Sequence, residues 1–516
     1  MKRTGLSILF ILILFVIKAQ ERFYYLYDGW EVNKVFIDNN GYLLNGLCLS
    51  PTTEGYLPQF NQINHQGGLL DSYFYTNDSI EGVCVYRSRS YLFNNNITTF
   101  TCALVDYAKS YSLAAAVISY NNENKEILKI KSFYSILGYS VGYIMDSTES
   151  GYVLVAVNNY NEKNSFPNIL FLDQNLDIIL TKRYEFLPLN SIRRRVFPYQ
   201  LLKLPDGGYI LSCEDEIGQY TSWPDQQRAW FLRLDSEGNE MWRRTTAGVD
   251  TLCYRPFAFV SQDDDYIITW SDPVLDESHN TNRTIWLARM SDNGAISEKH
   301  KISDDIDGIE NKWYYVNDYY QDGLGNIFLM GIMEYPNNGF LIKINPQGNA
   351  VWFREYQCFP ENDADMSQTK LYGLTATPDG GFIMGGEFLS SNSTMFPGGI
   401  QKGLAIKVDS CGCLEEGCNP LCNVSIGQQF ISAQNAVIYP NPATDFVNIE
   451  LSTFAKTVNV QVFDAEGCLW INTVENSELN NPAKLSLDVS GLAAGFYTVN
   501  IWADGKLFTG KFVKVE

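Results

Sequence analysis

The 516-residue chain carries a net charge of −21, with 45% hydrophobic and 19% charged residues; it is long enough for a large domain plus a smaller one, and this balance excludes a disordered polymer. The acidic excess argues against nucleic acid as a partner, because a phosphate backbone would be repelled and the only basic run is Arg193-Arg194-Arg195. Aromatic residues reach 14% beside 39 Gly, which points to aromatic-rich strands punctuated by turns and so to an all-β chain.

The first 19 residues read as a signal peptide. Lys2 and Arg3 precede the apolar run Ile8 to Ile17, and Ala19 supplies the small residue before a cleavage point. The run is too short for a comfortable membrane span of about 20 residues, and no other stretch qualifies, so no transmembrane segment is expected in the mature chain. Export makes disulfides chemically allowed among the 11 cysteines.

Residues 20–408 repeat one phrase, in which a polar turn leads into an apolar strand. The copies are Asn40-Gly41-Tyr42-Leu43-Leu44, Ser150-Gly151-Tyr152-Val153-Leu154, Gly207-Gly208-Tyr209-Ile210-Leu211, Asp264-Asp265-Tyr266-Ile267-Ile268, Gly325-Asn326-Ile327-Phe328-Leu329 and Gly380-Gly381-Phe382-Ile383-Met384. The steps between them are 110, 57, 57, 61 and 55 residues, and 110 is twice 55, which implies a degenerate copy near residue 95. A second phrase, strand, Asx-type turn and strand, follows in Trp230 to Trp242 and Phe340 to Trp352, with weaker echoes at Asp173, Ser291 and Asp409. Seven units of about 55 residues predict a seven-bladed β-propeller, whose radial packing protects the sheet edges; a β-solenoid is the competing architecture. The spacings Gly238 to Trp242 and Gly348 to Trp352 resemble the glycine-then-tryptophan repeat of quinoprotein-type propellers. The plainer account is a tryptophan that docks each blade onto its neighbour, and no cofactor is expected.

Residues 409–435 form a Cys-rich linker. Cys411, Cys413, Cys418 and Cys422 fall within twelve residues without the paired spacing of common zinc modules, so disulfides that staple the connector are expected, in one of three pairings. From 436 to 516 apolar and polar residues alternate in short runs: Val447, Ile449, Leu451; Val458, Val460, Val462; Leu485, Leu487, Val489; Tyr497, Val499, Ile501. About seven strands with turns between them predict a small Ig-like β-sandwich.

Here the sequence resembles a known family. Ile438-Tyr439-Pro440-Asn441-Pro442-Ala443-Thr444-Asp445 looks like the opening of the type A C-terminal sorting domain of Bacteroidetes type IX secretion, Glu466-Gly467 like its central hairpin, and Gly491-Leu492-Ala493-Ala494-Gly495-Phe496-Tyr497 like its late phrase. The resemblance implies that the type IX machinery is a partner, that the chain passes through the periplasm to the outer surface or beyond, and that this domain is often removed on arrival. In physical terms, Pro440 and Pro442 hold an extended segment, Gly495 permits a turn and Tyr497 fills the sandwich.

Chemistry is harder to place. His65, His279 and His300 have no metal-ligand spacing and are expected in loops or on the surface. Ser303 to Gly308 begins like a calcium loop but has Tyr314 where the bidentate Glu would stand, so a solvated acidic turn is expected. The arginine triplet is expected in a solvated loop. No catalytic, cofactor or metal residue is predicted. The expected function is ligand binding or adhesion by the propeller; the alternative is a carbohydrate-active hydrolase or lyase using carboxylates at the propeller mouth.

Overall fold

Each repeat folds as a four-stranded antiparallel blade, and the reason lies in its turns. In six blades the third strand runs into a five-residue turn opened by Asn64, Asp173, Asp235, Ser291, Asn345 or Asp409, which in all but the last leads on to the fourth strand. The opening side chain accepts the N–H of the fifth residue at 2.8–3.1 Å, and the fourth residue donates to the opening carbonyl. That fourth residue has positive φ in every case: Gly67, Leu176, Gly238, Gly294, Gly348 and Gly412. The pattern demands an Asx or Ser at one end and, at best, a glycine near the other.

The computed structural model describes residues 22–38, 41–49, 56–74, 83–84, 91–94, 96–106, 112–158, 164–186, 193–218, 226–246, 253–261, 263, 265–275, 281–306, 313–334, 337–358, 367–391, 399–414, 434–451, 455–463, 469–479, 483–503 and 506–515. The chain divides into two compact units, residues 1–416 and 417–516.

In the first unit, blade 1 is Glu31–Asp38, Gly41–Leu49, Tyr56–Ile63 and Leu69–Phe74. Blade 2 is Tyr91–Asn94, Ile97–Asp106, Ser112–Asn121 and Glu126–Ser132, with Val83–Cys84 also paired to its second strand. Blade 3 is Ser140–Ser147, Gly151–Asn158, Asn164–Asp173 and Ile178–Arg183; blade 4 is Arg193–Lys203, Tyr209–Gly218, Gln226–Leu234 and Glu240–Thr245. Blade 5 is Tyr254–Val260, Tyr266–Leu275, Thr281–Met290 and Ile296–Lys301; blade 6 is Trp313–Gln321, Ile327–Glu334, Asn338–Ile344 and Ala350–Tyr356. Blade 7 takes three strands from the end of the unit, Ser367–Ala376, Phe382–Ser390 and Ile400–Val408, and its fourth from the beginning, Phe23–Tyr27, which pairs antiparallel from Phe23 opposite Lys407 to Tyr27 opposite Gly403. The unit is a seven-bladed β-propeller closed by its own N-terminal strand.

The missing copy of the phrase is the turn between Tyr91–Asn94 and Ile97–Asp106. Asn96 holds φ 61 there, 55 residues after Gly41 and 55 before Gly151. Asparagine tolerates the left-handed region and hid the repeat from a search for glycine. Asn96→Gly is expected to be close to neutral, whereas Asn96→Val is expected to cost about 1–2 kcal/mol, read as a lower denaturant midpoint.

Blades dock through apolar faces and through the turns. Tyr184, Tyr356 and Tyr27, each at or just past the end of an outer strand, donate to the carbonyls of Gly238, Gly412 and Gly67 in the next blade, at 2.7, 2.8 and 2.7 Å. Trp242 donates to the carbonyl of Asp292 in the blade 5 turn, and Trp352 lies against Gly412. The tryptophans after the second phrase therefore hold neighbouring blades together. Between blades 6 and 7, Phe328 and Phe382 meet at 4.5 Å between centroids.

In the second unit two sheets share one core. A five-stranded sheet (Gln434–Asn435, Lys506–Lys514, Gly495–Ala503, Ala455–Phe463, Leu469–Leu479) and a three-stranded one (Val437–Tyr439, Phe446–Leu451, Ala483–Asp488) bury Val447, Ile449, Leu451, Val458, Val460, Val462, Val499 and Ile501 completely. These are the predicted alternating residues, and the unit is a small β-sandwich.

Candidate functional site

The first strand of each blade is the innermost, and six of the seven carry a bulge against the second strand at the same place. The residues displaced are Asn33, Tyr143, Tyr199, Arg255 with Pro256, Asn317 and Tyr372. A bulge re-aims a side chain without breaking the sheet, and it favours functional positions. Arg255, with φ 48, connects three blades: its guanidinium donates to Asn317 Oδ1 and lies 5.9 Å from the Tyr199 ring and 5.0 Å from the Tyr315 ring. Asn317 in turn donates to the carbonyl of Leu371 at 2.6 Å. Lys34 of blade 1 reaches Asp318 of blade 6 at 2.5 Å, and Leu374 N–H of blade 7 donates to the same carboxylate at 2.8 Å. Inner strands of blades 4, 5, 6, 7 and 1 are thus joined by one polar belt.

Beside the belt, Glu214, Asp215 and Glu216 follow one another on the second strand of blade 4, and alternation splits them between faces. Asp215 faces blade 3, fully buried, and takes a bidentate pair from Arg194 (Nε to Oδ1 2.9 Å, Nη2 to Oδ2 2.5 Å). Glu214 and Glu216 share the other face. Gln227 Nε2 donates to both, at 3.0 and 3.3 Å, Arg195 pairs with Glu216 at 2.5 Å, and the N–H of Arg255 reaches Glu214 at 3.1 Å. Burial, reinforced by the Glu216 charge, raises the Glu214 carboxyl to about 7 against the opposing pull of Arg255. The arginine triplet is therefore no solvated loop: Arg194 and Arg195 are strand residues paired across a hairpin with two acids. Asp215→Ala should cost about 3–5 kcal/mol, measured by chemical denaturation, because it strands a buried guanidinium.

Blade 7 repeats the arrangement. Glu387 stands where Glu214 does, Tyr372 where Tyr199 does and Gln401 where Gln227 does. Tyr372 donates to Glu387 at 2.6 Å and Gln401 at 2.8 Å. The difference is Lys370, 3.1 Å from Glu387; blade 4 has Phe197 at that place. Sequence reading missed both clusters, although Arg194 and Arg195 each precede their acid by 21 residues, a spacing that would have paired them.

Other predicted residues fall as follows. His65 lies in the blade 1 turn, edge-on to Tyr42 at 5.5 Å. His279 lies outside the described residues, as do residues 1–19, Cys418, Cys422 and Gly467. His300 ends the outer strand of blade 5, 3.2 Å from Asp305, whose carboxylate also accepts the N–H of Ala350 at 2.6 Å. Asp305 therefore ties blade 5 to blade 6 instead of lying free in a solvated turn. No cluster of three or more His, Cys, Asp or Glu with metal-holding geometry occurs among the described residues.

In the second unit, Asn441 substitutes for a strand residue: its side chain accepts the N–H of Val513 at 2.9 Å and donates to the carbonyl of Lys511 at 3.1 Å. Ala443 continues the contact with Val513 and Val515. The bonds from Tyr439 to Pro440 and from Asn441 to Pro442 are cis. The carbonyl of Asp445 accepts the N–H of Val489, Leu492 is buried in the core, and Tyr497 donates to the carbonyl of Ala493 at 2.9 Å. Gly495 is not one of the left-handed glycines; it opens the strand Gly495–Ala503, so the turn does not require it.

Residues 437–515 match the family model described as a secretion system C-terminal sorting domain. This tail is a type IX sorting domain. It directs the chain out of the cell, to the surface or into the medium. Among the described residues no helix is long and apolar enough to cross a membrane. The sequence matches no curated protein. Among solved structures, the chain is similar to the β-propeller domain of the Trilobed protease from Pyrococcus furiosus (10% identity, 73% of this chain and 90% of that one, TM-score 0.34). It is also similar to an α-L-arabinanase from Penicillium chrysogenum (8% identity, 76% and 97%, TM-score 0.37) and to an α-L-arabinofuranosidase from Fusarium graminearum (10% identity, 75% and 97%, TM-score 0.38).

Between the propeller and the sorting domain stands the cysteine cluster. Among the described residues Cys48, Cys102, Cys213, Cys253 and Cys358 form no disulfide, whereas Cys411 and Cys413 are disulfide-bonded.

Proposed function

We propose that the protein is a cell-surface or secreted binding protein whose propeller holds a glycan or protein ligand at the inner strands of blades 4 to 6. The observation that carries this reading is the set of bulged residues Tyr199, Arg255 and Asn317, brought together from three blades with the half-buried ring of Tyr315. Aromatic rings beside a guanidinium and an amide offer an apolar surface and directional donors in one place, which is the usual composition of a specific binding surface. In this reading residues 1–19 are removed after Ala19; Cys411, Cys413, Cys418 and Cys422 pair among themselves in one of three ways to staple the connector; and the source is a member of the Bacteroidetes. The type IX machinery reads the folded sorting domain, with Tyr439, Pro440, Asn441, Pro442, Asp445, Gly467, Leu492, Gly495 and Tyr497 as its signature. The mature chain, immobilised and screened against glycan arrays and surface extracts, should retain a ligand above background; a blank on both screens overturns the reading.

A second reading, a secreted carbohydrate-active hydrolase or lyase, is favoured by Glu214. A carboxyl raised to about 7 with a second carboxyl, Glu216, on the same face two residues on is a pairing that acid and base chemistry uses. Release of reducing ends from a polysaccharide panel, lost in Glu214→Gln, is its expected result; no turnover on any member sinks it.

A further inference from the structure

We propose that the cluster of Glu214, Glu216, Gln227 and Arg195 is a binding subsite for an uncharged sugar residue. This rests on the binding reading above and narrows it to one place and one chemistry.

The argument is an internal comparison. Blades 4 and 7 carry the same tyrosine, glutamate and glutamine at the same register, so one copy serves as a control for the other. Both glutamates are saturated: Glu387 takes Tyr372, Gln401 and the Lys370 ammonium, and Glu214 takes Tyr199, Gln227 and the Arg255 N–H, so the difference lies in the groups around them. Blade 4 has Phe197 in place of the lysine, a second glutamate two residues on, and two polar atoms left over. Gln227 is 2% exposed, and its Oε1 has no partner; Arg195 Nε, directly across the Glu216 row, has none either. A buried acceptor and a buried donor without partners cost about 1–3 kcal/mol each, a cost that a ligand able to satisfy both would remove.

The ligand class follows from what is missing. One group must donate to Gln227 and one accept from Arg195, and a pair of sugar hydroxyls does both. Charge decides against ions: Arg194 is matched by Asp215 and Arg195 by Glu216, while Glu214, neutral below about pH 7, meets Arg255 through its backbone N–H. Neither a carboxylate nor an ammonium ligand finds an uncancelled partner. The half-buried rings of Phe197 and Tyr199 supply the apolar surface on which the C–H face of a pyranose or furanose packs. The groups facing Glu214 are Glu216 on its own strand, Tyr199 on the inner strand, Arg255 from blade 5 and, through Glu216, Arg195. With these neighbours the carboxyl is protonated below about pH 7 and ionises above it, and the balance is then lost.

The test uses the intact mature chain on an array of neutral oligosaccharides (glucose, galactose, mannose, arabinose and N-acetylhexosamine types) beside uronate- and sialate-bearing ones. Affinity is followed by isothermal titration calorimetry of the mature chain. A neutral glycan should bind, at least tenfold more weakly at pH 8.5 than at pH 5.5, and Glu214→Gln should remove that dependence. Gln227→Leu should weaken binding tenfold or more, and Arg195→Lys, which keeps the charge but not the Nε donor, should weaken it with an unchanged melting temperature. Gln401→Leu in blade 7 should lower the melting temperature and leave affinity intact. Binding that is indifferent to Gln227 and Arg195, that falls equally with Gln401→Leu, or that prefers charged glycans overturns the subsite while leaving a binding protein. A blank array with capture of a protein does the same, and a blank on both screens removes the binding reading itself.

Discussion

A chain that begins at Asp28 is expected to lose the closed ring. Phe23–Tyr27 is the outer strand of blade 7, and Phe23 and Tyr27 are buried against Val32, Val35 and Ile383, where the first and last blades meet. Truncating one buried aromatic costs about 3–5 kcal/mol. Removing both, together with the ladder to Gly403–Lys407 and the bond from Tyr27 to the Gly67 carbonyl, amounts to most of the roughly 5–15 kcal/mol by which a domain is stable. The loss is also topological, because Tyr27 does for blades 7 and 1 what Tyr356 does for blades 6 and 7. The expected result is a lower, broadened unfolding transition and rapid proteolysis between blades. Phe23→Ala, a graded version, should lower stability by about 3–5 kcal/mol and keep a single transition. A truncated chain that melts as sharply and as high as the full one would refute the closure.

The second large effect concerns destination. Residues 436–516 fused to a reporter with a cleavable leader should carry it outside a competent cell, and the full chain ending at Asn435 should accumulate in the periplasm. Within the domain, Asn441→Ala removes two hydrogen bonds that bind the proline-rich segment to the last strand. At about 1 kcal/mol each this should loosen the segment and reduce export without unfolding the core built on Val447, Val460 and Ile501. Reporter retained inside with residues 436–516 attached would falsify the assignment of the address.

The fold was readable because the turns are chemically demanding. Asp235, Gly238, Asn345 and Gly348 stand where only a few residue types serve, and they recur at a fixed interval. The same reasoning misses what depends on register. Asn96 substitutes for a glycine and conceals blade 2, and Phe23–Tyr27 has no local turn because its partner lies at Gly403–Lys407. The site is hidden more deeply. Glu214, Asp215 and Glu216 belong to no motif in the sequence, and only the strand places them on alternate faces, opposite arginines that read as a loop. The bulges at Tyr199, Arg255 and Asn317 depend on how two strands align, which periodicity does not encode.

The turn described for six blades uses the side chain of its first residue and the backbone of the rest, with a positive φ at the fourth. The turn's own backbone geometry does not fix its second, third and fifth side chains, and the blades fill the second and third places variously, with Ser236 and Glu237, Pro346 and Gln347, Asp292 and Asn293. In blade 7 the third and fifth places hold Cys411 and Cys413, while Asp409 still binds their N–H groups at 2.9 and 2.8 Å. In evolutionary terms the ring could acquire covalent chemistry at its exit without disturbing the turn, since the turn's own hydrogen bonds engage only the backbone at those two places.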